Sequence, residues 1–220
     1  MKRALKIPAA IAIFDFLLIT GSILSGARKG DVTYYFGEEK SVTFFCALFL
    51  GLTAFLSVFL SYLHVKQAKA HPFFNFWSFS VVGFFYLCLD EFFMIHEGMD
   101  HVILSLLGYK ARLFDFDGLL LAIFGLLGLV CIYRFRKELL VLKGFRLLTS
   151  TAFVFFFLMV AFDQAHFNAP TLMVLEDSFK LIGVSFFLGA YASALLEYLD
   201  ISLLGSRMGG QNQNEQTYQK

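Results

Sequence analysis

At 220 residues the chain is long enough for one domain, and 58% of it is hydrophobic against only 16% charged, whereas a soluble domain runs at about 45–50% apolar and roughly 25% charged. The excess sits in long runs, and 30 of the residues are phenylalanine, which excludes a disordered chain, a disulfide scaffold and an ordinary soluble enzyme. A net charge of +1 leaves no broad basic face, so no nucleic-acid partner is expected.

About 20 apolar residues cross roughly 30 Å of hydrocarbon. Six segments qualify, about 7–27, 41–64, 73–96, 116–133, 146–166 and 172–199. None alternates like a barrel strand, and backbone groups must pair internally in lipid, so the expected fold is an all-α membrane bundle of six helices. The first segment follows Met1-Lys2-Arg3 and could pass for a secretory signal ending near Gly26-Ala27. Asp15 in its apolar centre argues instead for a retained helix, with that acid hydrogen-bonded to a neighbouring one. His64 and His71 flank the second loop and read as interface residues. The third segment ends Leu89-Asp90-Glu91-Phe92-Phe93-Met94-Ile95-His96-Glu97-Gly98-Met99-Asp100-His101. It leads into the longest loop, in which 101–107 is apolar enough for a short helix at the interface. The fifth segment ends Asp163-Gln164-Ala165-His166, and the sixth opens Glu176-Asp177-Ser178-Phe179-Lys180. Glu197, at the far end of the sixth, suits a solvated face. Residues 1–204 form the transmembrane domain, and the polar stretch 205–220 reads as a flexible cytoplasmic tail. Cys46, Cys88 and Cys131 lie inside apolar runs without CxxC spacing and read as small buried hydrophobes.

Lysine and arginine set the expected orientation. The N-terminal tail (Lys2, Arg3, Lys6), the second loop (Lys66, Lys69) and the fourth loop (Arg134, Arg136, Lys137, Lys143, Arg146) are basic. The alternate loops balance Arg28, Lys29 and Lys40 against Asp31, Glu38 and Glu39, and Lys110 and Arg112 against Asp100, Asp115 and Asp117. Both termini are therefore expected in the cytoplasm, and the protein in a bacterial inner membrane.

Charged groups at membrane depth are expensive, and here they cluster. With that orientation the ends of helices 3 and 5 and the start of helix 6 all fall near the outer leaflet. On a continuous helix Asp90, Met94, Glu97 and His101 would lie within about 40° of one another. Asp163 and His166 share a face, as do Glu176 and Lys180. Such carboxylate and imidazole spacing is how helical bundles hold metals, and Asp163-x-x-His166 resembles the ExxH half-site of carboxylate-bridged di-metal bundles. His96-Glu97-Gly98-Met99-Asp100 looks like an HExxH zinc helix with aspartate in place of the second histidine. The expected metal ligands are Asp90, Glu91, His96, Glu97, Asp163, His166 and Glu176. Asp177, Lys180, Asp15 and His101 complete the polar network. Zinc or another first-row divalent metal suits mixed oxygen and nitrogen ligation. The plainer alternatives are solvated helix ends for Asp100 and His101, an ordinary ion pair for Glu176 and Lys180, and Asp177 complementing a helix dipole.

Leu89-Asp90-Glu91 followed by Ile95-His96-Glu97 resembles a pattern in bacterial multi-span membrane proteins of unassigned function. There an LDE, a few apolar residues and HE are followed by a later acidic motif, matched here by Glu176-Asp177, with Lys180 where another acid would stand. That resemblance covers about a fifth of the chain and implies no activity. The cluster also resembles, more weakly, the zinc site of ceramidase-like membrane hydrolases, but no HxxxH pair occurs in a late helix. The stretch Val174–Lys180 loosely resembles the retinal-lysine helix of microbial rhodopsins. Six spans, a single tryptophan (Trp77) and the missing aromatic and proline pocket mean that no retinal is expected.

Three functions remain open. The first is a metal site facing the periplasm, with water activated for hydrolysis of a lipid-like substrate. The second is an ion-coupled carrier, with Lys180 as counter-charge. The third is an accessory subunit whose phenylalanine-rich helices pack on the lipid bilayer and on other membrane subunits.

Overall fold

A computed structural model of the chain describes residues 6–37, 40–68, 75–95, 116–163 and 170–217. Within them the elements are α1 (Lys6–Arg28), α2 (Ser41–Ala68), α3 (Phe76–Phe93), α4 (Phe116–Arg134), α5 (Arg136–Leu139), α6 (Lys143–Asp163) and α7 (Pro170–Thr217). No strand occurs among the described residues. Among the described residues five helical stretches are long and apolar enough to cross a membrane: Pro8–Arg28, Ser41–Lys66, Phe76–Phe93, Lys143–Asp163 and Pro170–Asp200. The apolar stretch Ile123–Arg134 in α4 is shorter than these five.

Large apolar side chains point outward all around the bundle, with Phe157 75%, Val82 70% and Phe16 68% exposed. In water such a surface would aggregate; in hydrocarbon it matches its surroundings. The fold is therefore that of an integral membrane protein, and its helices must be held by packing and polar contacts, because lipid supplies no hydrophobic drive between them.

Helix α7 is the axis. It packs against α1, α2 and α6, and α3 reaches it through aromatic side chains. Gly183 lets α6 come close: a Cβ there would stand 2.8 Å from Phe156 Cδ2 and 3.4 Å from the Ala152 carbonyl oxygen. Trp77, Phe145 and Tyr191 meet edge to face at centroid distances of 5.3–5.5 Å, joining α3, α6 and α7 at one end. The Tyr191 hydroxyl, wholly buried, donates to Ser80 Oγ at 2.7 Å.

Several helix ends have local causes. Asn75 caps α3, accepting the Ser78 N–H at 2.9 Å while its own backbone stays extended. Pro170 opens α7, where its missing N–H is not needed. Met94 ends α3 in the left-handed region at φ 50°, its N–H bonded to the Asp90 carbonyl. The helix thus stops at Phe93 and not near 96, and the face expected to run from Asp90 through Met94 to Glu97 and His101 is broken at its second member. At the other extreme, α7 stays helical to Thr217, past the point where a tail was expected from 205. No proline follows Pro170 to stop the helix. The expected interface helix at 101–107 lies outside the described residues.

Candidate functional site

The α1–α2 connection folds onto α7. Gly37, at φ +90°, donates its N–H to Asp177 Oδ2 at 2.5 Å, and Thr43 Oγ1 donates to the Gly37 carbonyl at 2.8 Å. Phe36, Val42, Cys46 and Leu181 form a small apolar core beneath that contact. Nearby, outside the spans, Asp31 accepts the Thr33 hydroxyl at 2.7 Å and the Thr33 N–H at 2.8 Å. Those donors hold its carboxyl below the usual range. Lys29 Nζ lies 3.7 Å from the Tyr34 ring centroid and 4.9 Å from that of Tyr35. The Tyr35 hydroxyl, bonded by Ser25 and then by Lys29, is shifted down and Lys29 up.

Below this turn four carboxylates from three helices are withdrawn from the surface: Asp15 2%, Asp90 2%, Glu91 9% and Asp177 5% exposed. Lys180 faces them from α7 and pairs with Glu91, Nζ to Oε1 at 2.8 Å. The Glu91–Lys180 pair and the bond of the Gly37 amide to Asp177 bring α3 and the α1–α2 connection onto the same stretch of α7, and Cys46 on α2 packs beside it with Leu181. Asp90 lies one residue before Glu91, and Tyr86, four residues before Asp90, packs on Phe124 of α4 at a ring-centroid distance of 4.8 Å. Depth follows from helix rise: Lys180 lies about 15 Å and Ser185 about 22 Å along α7 from Pro170, at 1.5 Å per residue. Asp15 lies about 20 Å back from Arg28 on the same count, which matches Ser185. Ser185 Oγ donates to Asp15 Oδ1 at 2.8 Å, while Asp15 Oδ2 is buried with no hydrogen-bond partner.

Of the residues expected at the site, Glu91 and Lys180 meet directly, Asp177 stands three residues before Lys180 on α7, Asp15 joins α7 at Ser185, and Asp90 is buried one position before Glu91 on α3. Asp163 ends α6 and Glu176 lies one residue before Asp177; both are half-buried. His96, Glu97, His101 and His166 lie outside the described residues. Among the described residues no three His, Cys, Asp or Glu side chains are arranged to hold a metal ion. Carboxylates, one amine and no described imidazole can bind protons or a hard cation, or tie helices together.

A second polar network lies at the opposite end of the bundle. His64, expected at the interface, is buried; its Nδ1 is 3.0 Å from the Tyr198 hydroxyl and its Nε2 3.4 Å from Glu138 Oε2. Glu197, expected on a solvated face, accepts the Gly144 N–H at 3.2 Å. The signal for His64 was in the sequence: Thr53, Ser57, Ser61 and His64 recur at helical spacing on one face of an otherwise apolar helix. The partners of His64 carry no such signal.

The family model for a domain of unknown function (DUF8692) matches residues 3–194, and the chain belongs to that family. No curated protein and no solved structure matches it.

Proposed function

We propose that this family member is a six-span protein of the bacterial inner membrane, with both termini cytoplasmic, that binds a cation in its outer half. The carrying observation is the burial of Asp15, Asp90, Glu91 and Asp177 on three helices, with Lys180 paired to Glu91. An ionised carboxylate at membrane depth is costly, so several of them in one half of a bundle suit protons or a bound cation. A first-row divalent metal such as zinc fills that role if His96, Glu97 or His166 completes the ligand set, since imidazole with carboxylate suits that ion. An ion with an open position supplies activated water, which fits hydrolysis of a lipid-like substrate.

A second reading has its own support. The Glu91–Lys180, Asp177–Gly37 and Asp15–Ser185 contacts each join two different elements, as staples in an accessory membrane subunit would. Metal analysis of protein purified without added metal or a histidine tag separates the two. The cation reading expects about one equivalent of zinc, iron or manganese, lost on Asp90→Asn/Glu91→Gln substitution. Folded wild-type protein free of metal would refute the metal site and leave the staple.

A further inference from the structure

Between α4 and α5 the helical path breaks at Phe135 (φ −102°, ψ 14°), and the break opens a crevice of about 320 Å³ lined by residues 133–138. Arg134, Arg136 and Lys137 are exposed around it. The Arg136 guanidinium lies 4.5 Å from the Tyr133 ring centroid and that of Arg134 5.6 Å from the Phe135 ring centroid. Each guanidinium is held beside an aromatic face, and among the described residues none of the three cations has an acidic partner within 4 Å. The acid of this segment, Glu138, is turned to His64 instead. The lining thus carries three positive charges against the one carboxylate of Glu138, which is engaged with His64.

Its level is given by its neighbours. His64, which contacts Glu138, lies two residues before the end of the span Ser41–Lys66, and the span Lys143–Asp163 begins just after the crevice. The crevice therefore sits where hydrocarbon gives way to headgroups. Tyr133, 67% exposed, occupies the place at which aromatic side chains favour that boundary.

We propose that the crevice formed by Tyr133, Arg134, Arg136 and Lys137 binds the phosphate of an anionic phospholipid. Guanidinium forks match phosphate oxygens in pairs, and the lysine adds a point charge. The aromatic rings meet the glycerol and upper acyl region of the same molecule. Zwitterionic lipids carry their own cation and gain less from a lining with three cations and one acid.

Native mass spectrometry of the full chain, released from detergent with phosphatidylglycerol, phosphatidylcholine or inorganic phosphate, tests this. Phosphatidylglycerol should be retained over phosphatidylcholine, and each of Arg134→Gln, Arg136→Gln and Lys137→Gln should weaken it about fivefold, the effect of one cation near an anionic surface. Three independent single variants keep the test usable if one fails to fold. Lys143→Gln/Arg146→Gln removes two cations at the start of α6, outside the crevice, and should leave retention unchanged. Equal loss in that control, retention unaffected by the crevice variants, or inorganic phosphate displacing the lipid at equal concentration would each overturn the proposal.

Discussion

Replacing Lys180 by methionine leaves Glu91 at 9% exposure facing an apolar side chain. At the observed 2.8 Å separation an effective dielectric of about 20 gives a gross attraction of about 6 kcal/mol, much of it offset by desolvation of both groups. The net worth of the pair is therefore small, but the cost of breaking it is not. Removing one partner of a buried pair costs about 3–5 kcal/mol, whereas replacing both with apolar groups is often close to neutral. Lys180→Met should thus destabilise by about 3 kcal/mol, roughly a 150-fold shift in the unfolding equilibrium. Glu91→Leu/Lys180→Met should recover at least about 2 kcal/mol of that loss. Reversible unfolding in mixed micelles of increasing SDS fraction, followed by far-UV circular dichroism, reads all four species of the cycle. If the two single costs simply add in the double variant, to within about 0.5 kcal/mol, the pair is not coupled. The charge argument for the outer cluster then fails with it.

Gly183→Ala drives a methyl to 2.8 Å from Phe156 Cδ2 and should cost about 1–3 kcal/mol by overpacking; a neutral result in the same unfolding assay would show that α6 and α7 are not in close contact there. Ser185→Ala removes the donor to Asp15 and should cost about 0.6–1.5 kcal/mol, the range for a hydrogen bond between membrane helices. No measurable change would mean that the bond does not hold α1. Cysteine introduced at Lys40 should react with an impermeant maleimide from outside the cell, and cysteine at Lys143 should not; the reverse pattern would move the acidic cluster to the cytoplasmic leaflet.

The helices were legible because long apolar runs in a chain without strand alternation leave the backbone little else to do. So was the presence of acids inside the bundle, since Asp15, Asp90 and Glu91 interrupt such runs and an interruption in lipid calls for a cause. The end of α3 was hidden. A non-glycine residue rarely takes the left-handed conformation, and nothing in Phe93-Met94-Ile95 marks Met94 as the residue that does. The burial of His64 was hidden because its partners stand 134 positions along at Tyr198 and in α5 at Glu138. The Gly37 amide that holds Asp177 is a backbone donor, and no side-chain pattern advertises it.

Those long-range contacts explain how α7 carries buried polar groups, as α2 does with Thr53 and Ser57. A helix packed on several sides can hold Ser185 and Ser193 fully buried without presenting them to lipid. Helix α1 is the opposite case: of its described residues only Asp15 and Gly26 are buried, and the rest face outward in part or in full. An apolar helix in apolar solvent has little reason to dock on anything. The side chain that α1 buries against α7 is a carboxyl, bonded to Ser185 at the same depth as counted along either helix. An acid that was only a defect would be expected to point where water could reach it. Asp15 instead lies 2% exposed with one oxygen satisfied and the other not. It therefore secures α1 to the axis of the bundle through one oxygen, and the second, buried and unpartnered, is the acceptor that the proposed cation site would use.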